Sequence, residues 1–139
     1  MLLLENWVLN KIISIVENKS EECCGFLFGR DSSSEKSITH FSSANNVSPG
    51  NRANRYEISA QDYLSAEHYA LNSNLQLIGI YHTHLNHTAI PSHVDKESAF
   101  PFLSYLIISL KNNKFADVKS WKLNDQLRFE EEKISIIHK

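Results

Sequence analysis

The sequence predicts an α/β fold: a single compact domain, residues 1–139, with a mixed β-sheet flanked by helices. Three observations carry this expectation. Apolar residues at helical spacing alternate with strand-length apolar runs in the early part of the chain. The end of the chain is a run of strands separated by turn residues. A length of 139 residues with 42% hydrophobic side chains supports one core.

Residues 2–4 read as a short strand. Asn6 is placed to cap a helix from about Trp7 to Glu17. In it Val8, Leu9, Ile12, Ile13, Ile15 and Val16 recur at helical spacing, leaving Asn10, Lys11, Ser14 and Glu17 outward. Cys23 to Phe28 reads as a buried strand, closed by Gly29 and the turn Asp31-Ser32-Ser33-Ser34, with Glu21 and Glu22 at its mouth. A second strand, about Lys36 to Ser42, pairs back across that turn. Ala44 to Asn54 holds asparagines, a proline and a glycine and is a loop. Arg55 to Ile58 reads as a short strand. Ser59-Ala60-Gln61-Asp62 matches a capping box and opens a helix to about Asn72.

Leu75 to Tyr81 is an apolar run of strand length, and Gly79 within it predicts close approach of a neighbouring backbone. Pro91 and Ser92 open a third helix that stops before Pro101. Leu103 to Leu110 is the best candidate for a central strand. Ala116 to Leu123 and Gln126 to Ile136 read as strands joined by a hairpin at Asn124-Asp125.

Composition narrows the function. A net charge of −2 disfavours a nucleic-acid surface. The two cysteines, Cys23 and Cys24, are adjacent, so they form neither a zinc-type spacing nor a disulfide framework. The apolar run Met1 to Leu4 is followed at once by Glu5 and is too short for a signal-peptide core. Nothing else approaches a membrane span. A soluble, cytoplasmic protein is expected.

Chemistry concentrates between His82 and Asp95, which hold four of the seven histidines. In an extended strand, residues i and i+2 point to one side, so His82 and His84 can present two imidazoles to one point. Asp95 follows after a short loop. Two imidazoles and a carboxylate are a common ligand set for a hydrolytic zinc that keeps one position for water. Plainer alternatives exist for each residue. The histidines could bond loop carbonyls, and Ser92-His93-Val94-Asp95 is itself an acceptable capping box.

Taken whole, the string is His-Thr-His, seven residues, Ser, two residues, Asp. It resembles the motif of the JAMM (JAB1/MPN) zinc metalloprotease family, and matches at every position. A second stretch supports the likeness. Glu22-Cys23-Cys24-Gly25-Phe26-Leu27-Phe28-Gly29 is similar to the segment on which that family places its catalytic glutamate. The family usually has proline two residues before that glutamate, where this chain has Ser20. Asn46 to Leu64, with Pro49 and Arg55-Tyr56-Glu57-Ile58, looks like the prokaryotic JAB-domain branch. The resemblance covers about Trp7 to Leu110, and the C-terminal strands carry no matching motif.

The resemblance implies the MPN fold, a cytidine deaminase-like architecture, and one zinc per chain held by His82, His84 and Asp95. It implies Glu22 as general acid/base and Ser92 as the residue that steadies the oxyanion. Glu21 is then a solvated surface charge, because successive strand residues face opposite sides. The implied activity is that of a deubiquitinase-like peptidase or isopeptidase. It would act on the C-terminal tail of a ubiquitin-like or sulfur-carrier-like protein, with E1-like and E2-like proteins as possible operon partners. An extended tail would suit a groove beside the Leu75–Tyr81 strand. A non-catalytic scaffold with the same fold is the alternative; the intact ligand set, with Glu22 and Ser92, discriminates against it. Two other zinc classes fit less well. The string His82 to His87 has Asn86 where metallo-β-lactamase-fold hydrolases carry an aspartate, which leaves His87 as loop surface, like His93. The zinc deaminase elements are absent.

Overall fold

The computed structural model describes residues 1–32 and 34–138. Ser33, in the turn expected over Asp31–Ser34, and Lys139, the last residue of the expected domain, lie outside them. Strand β1 (Leu2–Glu5) runs straight into helix α1 (Asn6–Val16). Asn6 is therefore the first helical residue and not the cap. Glu5 holds the cap position in extended backbone, and its side chain accepts a bond from Trp7 Nε1 at 2.8 Å.

Strands β2 (Cys24–Asp31) and β3 (Lys36–Ala44) form the expected hairpin. β2 does not stop at Gly29, because the ladder continues past an irregularity at Phe28/Gly29. Residues 55–58 belong to no ladder, contrary to the strand expected there. Side-chain bonds hold them instead. Asn46 donates to the Arg55 carbonyl at 3.0 Å and accepts from the Glu57 amide at 3.2 Å. Helix α2 (Ala60–Asn72) starts at Ser59, whose hydroxyl accepts from the Asp62 amide at 3.1 Å.

Strand β4 (Gln76–Leu85) is longer than its apolar run and includes His82 and His84. Helix α3 (His93–Glu97) has only five residues. The chain after it is pinned by the Phe100 amide, which donates to the Tyr105 hydroxyl at 2.7 Å. Strands β5 (Ser104–Lys111) and β6 (Lys114–Leu123) pair antiparallel. The strand expected over Gln126–Ile136 is two strands, β7 (Phe129–Glu132) and β8 (Ile134–Ile137), with Lys133 between them. No helix of the described residues is long and apolar enough to cross a membrane.

The strand order β7-β6-β5-β4-β2-β3-β1-β8 explains the break at Lys133. β7 and β8 are consecutive in sequence yet lie at opposite edges, so the sheet coils until its edges nearly meet. The Lys133 carbonyl accepts from the Leu2 amide at 2.8 Å where the chain crosses from β6's side to β1's. Coiling divides the core in two. Val8, Leu9, Ile12 and Val16 of α1 pack with Leu27, Ile38, Leu106, Ile108 and Ile134 on the concave side. Ala66 and Ala70 of α2 pack with Phe26, Phe28, Ile80 and Tyr105 on the convex side. β4 and β5, covered on both faces, are the near-continuous apolar runs such strands require.

A buried polar cluster closes the concave side at the end away from the histidines. Glu132 accepts from Ser104 at 2.8 Å and Ser120 at 2.9 Å, and Lys36 of β3 donates to Ser104 at 2.9 Å. β3 and β5 are three steps apart in the strand order, so this contact exists only because the sheet is coiled. Replacing Glu132 by Ala leaves both serine hydroxyls without their acceptor. The expected loss is about 1–3 kcal/mol of unfolding free energy, measured by urea denaturation.

Candidate metal centre

The β2–β4 ladder sets the site. It pairs Cys24 with His82 and Tyr81 with Gly25. A residue added at Gly25 would collide with the Ser42 carbonyl and the Tyr81 ring, so only glycine lets the three strands approach here. The ladder slips at Ile78, putting Ile78 in the concave core and Ile80 in the convex one. Downstream residues keep the new phase, and His82 and His84 face the α2 side with Ile80. Gly79 meets the backbone of Ser104, as its position in the strand predicts.

Thr83 points to the opposite face. Its hydroxyl accepts from the Cys23 amide at 2.8 Å and its amide donates to the Cys23 carbonyl at 3.0 Å. These two bonds carry the antiparallel register beyond β2 and bring Glu22 opposite His84. The Glu22 amide is satisfied by the Arg52 carbonyl at 2.7 Å and its carbonyl by Asn46 at 3.0 Å. Glu22 is buried, 3% exposed, while Glu21 is exposed.

Asp95 arrives on α3. Its amide donates to the Ser92 hydroxyl at 3.1 Å, and its Oδ2 accepts from the Ser92 amide at 2.9 Å, a complete capping box. The same Oδ2 lies 3.1 Å from His82 Nε2 and 3.0 Å from His84 Nε2, and the two imidazole nitrogens are 3.2 Å apart. The cap and the cluster are thus one arrangement. The loop between β4 and α3 is clamped from the C-terminal strands. Ser109 donates to the His87 carbonyl, Trp121 Nε1 donates to the Ala89 carbonyl at 2.9 Å, and the Asn86 amide donates to the Leu110 carbonyl at 2.7 Å.

The triangle of His82, His84 and Asp95 fits a cation. His84 Nδ1 lies 2.7 Å from the Thr88 carbonyl, which can only accept, so Nδ1 carries the proton. In neutral His84 the Nε2 lone pair then points at a carboxylate oxygen. A proton relieves that one contact, whereas a cation satisfies all three donors. Bonds of about 2.0–2.1 Å place tetrahedral ligand atoms roughly 3.3 Å apart, close to the separations here. Among the described residues this is the group of histidine, cysteine and carboxylate side chains that could hold a metal. His87 does not join it: it is exposed, with its ring 5.6 Å from that of His84. His93 is also exposed.

Electrostatics agree with this geometry. Burial lowers the His82 pKa against the opposing charge of Asp95. Burial also acts to lower that of His84, but bonds to Asp95 and Thr88 and the charges of Asp95 and Glu22 raise it overall. Burial works to raise Asp95; the two imidazoles and the Ser92 amide overcome it and hold the carboxyl well below its usual range. Glu22 is pushed up to about 8 by burial, with His84 lowering it and Asp95 raising it. Among the described residues, Glu22 Oε1 and His82 Nδ1 are the buried side-chain polar atoms with no partner. Cys24 is buried and Cys23 half-buried, both as free thiols. Burial raises both thiols, Cys24 to about 12, which makes neither a nucleophile.

The groove expected beside the Leu75–Tyr81 strand is absent. β4 is flanked by β2 on one side and β5 on the other, so it offers no free edge to a tail. An open cleft of about 380 Å³ lies instead between the 48–58 segment and α3, lined by Arg55, Tyr56, Val94 and Phe100 among others. Tyr56 lies on the ring of His82 at 4.4 Å between centroids. The sequence alone assigns no role to Thr83, Tyr56 or Trp121, although the first two lie in stretches that carry the family resemblance. Thr83 could have been singled out, because a residue between two that share one strand face must point to the other face.

Glu22 makes metal-free stability depend on pH. Its folded pKa of about 8 exceeds the ordinary 4.5, so the folded state binds the extra proton between those values. Stability therefore falls as pH rises through that window, by at most ~1.4 kcal/mol per pH unit. Relative to the wild type, metal-free Glu22→Gln should gain stability from pH 5 to pH 8, measured as the difference in thermal midpoint. A constant difference would show that Glu22 is not held protonated.

Comparison with known proteins gives the same picture. Residues 8–124 match the family model described as prokaryotic homologs of the JAB domain. The chain is 30% identical over 135 residues to a desampylase of Pyrococcus furiosus, covering 97% of this chain and 90% of that protein. The solution structure of a Desulfitobacterium hafniense protein superposes with a TM-score of 0.87 at 26% identity, covering 100% of this chain and 94% of that one. A Salinibacter ruber protein does so with a TM-score of 0.67 at 29% identity, covering 91% and 88%. The coiled mixed sheet, the two-sided core and the matched span agree, and the chain belongs to the family of prokaryotic homologues of the JAB domain.

Proposed function

We propose that this chain is a zinc-dependent isopeptidase or peptidase that cuts at the C-terminal tail of a ubiquitin-like or sulfur-carrier-like protein. One observation supports the reading above the others. Three ligand atoms from His82, His84 and Asp95 converge within 3.2 Å, beside a buried, unpartnered glutamate. Bound zinc would supply Lewis acidity, polarising the scissile carbonyl and acidifying water.

The remaining chemistry belongs to the protein. Glu22 takes the proton of the attacking water on its carboxylate and hands it to the leaving amine. Without a metal, burial, opposed by His84 and aided by Asp95, pushes the Glu22 carboxyl up to about 8. Positive charge at the cluster draws that value down, toward the range where one group can serve as base and then acid. The hydroxyl of Ser92 uses its oxygen to accept from the Asp95 amide. Its proton is left to donate to the developing oxyanion. Capping and catalysis therefore make no competing demand on Ser92.

The relative named desampylase supports a ubiquitin-like modifier as substrate. With both edges of β4 paired, the tail lies in the cleft beside Tyr56. Arg55 and Glu57 on its wall supply charge for an extended backbone and its termini. Residues 1–139 act as one domain in this reading. The free thiols Cys23 and Cys24 suit the cytoplasm, and E1-like and E2-like proteins are the natural operon partners.

Three experiments test the assignment. Glu22→Gln should keep stoichiometric zinc yet cut a ubiquitin-like fusion at least 10²-fold more slowly; undiminished cleavage removes Glu22 from the mechanism. Asp95→Ala should lose zinc by elemental analysis while His87→Ala keeps it, and the reverse pattern would move the metal to another ligand set. Ser92→Ala should lower the turnover rate by about 10²-fold or more.

A further inference from the structure

The two histidines enter the cluster with unequal support. His84 is oriented from behind by the Thr88 carbonyl at 2.7 Å. His82 has no such bond, for its Nδ1 is buried without a partner. Metal-ligating histidines almost always anchor the second ring nitrogen, which fixes the ring plane. What His82 has instead is Tyr56, stacked on it with centroids 4.4 Å apart and planes inclined by 24°. Tyr56 is itself anchored. Asn46 bonds the residues on either side of it, at the Arg55 carbonyl and the Glu57 amide, and the Val47 amide donates to the Glu57 carbonyl at 2.9 Å.

We propose that Tyr56 is a positioning residue for His82, its ring face replacing the missing hydrogen bond and setting the affinity of the cluster for its metal. The inference rests on the metal-site reading above. Its physical content is specific. A flat face laid on the imidazole opposes rotation about the Cβ–Cγ bond, so Nε2 stays aimed at Asp95. An aliphatic side chain of similar bulk fills the same space but leaves the ring plane free. The hydroxyl of Tyr56 plays no part.

The test is zinc affinity of the full chain, measured by competition with a chromophoric chelator at a temperature where each metal-free variant is folded. Tyr56→Phe keeps the ring and should bind within about twofold of the wild type. Tyr56→Leu should bind on the order of tenfold more weakly. Wild-type affinity in Tyr56→Leu, or a tenfold loss in Tyr56→Phe, overturns the proposal. Should Tyr56→Leu fail to fold, the isosteric Tyr56→Phe still decides when read with NMR of the metal-free chain. The His82 ring protons should show the upfield shift of a stacked ring in both wild type and Tyr56→Phe, and its absence overturns the proposal. A wild-type chain that binds no zinc removes the metal reading and this inference together, whereas a failure of Tyr56→Leu to weaken binding removes the inference alone.

Discussion

The site depends on one backbone register, Cys24 opposite His82, extended one step by the Thr83 hydroxyl and the Cys23 amide. A strand has a side-chain period of two, so a slip of one residue would turn His82 and His84 into the concave core and leave Thr83 facing α2. Several features hold the register. Gly25 admits the Tyr81 ring, Gly79 admits the Ser104 backbone, and the slip at Ile78 resets the phase just before the histidines. The middle residue of His-Thr-His is therefore as much a part of the site as its neighbours. It faces away from His82, His84 and Asp95, yet it is what holds Glu22 beside them.

The second half of the site is held in place from further along the chain. Asp95 comes from a five-residue helix, too short to be stable alone. Its place is secured by clamps on the preceding loop from Ser109, Leu110 and Trp121. The C-terminal strands thus act on the site without contributing a side chain to the cluster. Their own alignment rests on the coiled sheet and on the buried group around Glu132.

Much of this was legible in the sequence, and the parts that were not share a cause. Helices α1 and α2 and strands β2 to β6 follow from apolar runs and turn residues, because which face an element buries is written in its own local pattern, however distant its partner in the chain. That His82 and His84 share a face follows from their spacing; that Asp95 joins them was implied by the family resemblance. What periodicity could not show was tertiary. The break at Lys133 arises because the sheet coils, and nothing local to Glu132-Lys133-Ile134 announces it. The segment Arg55-Tyr56-Glu57-Ile58 has strand-like composition, but the side chain of Asn46 takes the place of a ladder. The tail groove expected along β4 presupposed a free edge, and pairing with both β2 and β5 removes it.

Asp95 Oδ2 is asked to serve two structures at once. It receives the Ser92 amide that starts α3, and it faces both imidazoles. Ligand binding and local folding are then thermodynamically linked through a single atom. Occupancy of the cluster reports on whether the first turn of α3 is formed, and a loosened first turn weakens the hold on any ion. A cation held there would add to the stability of the turn that shapes the cleft.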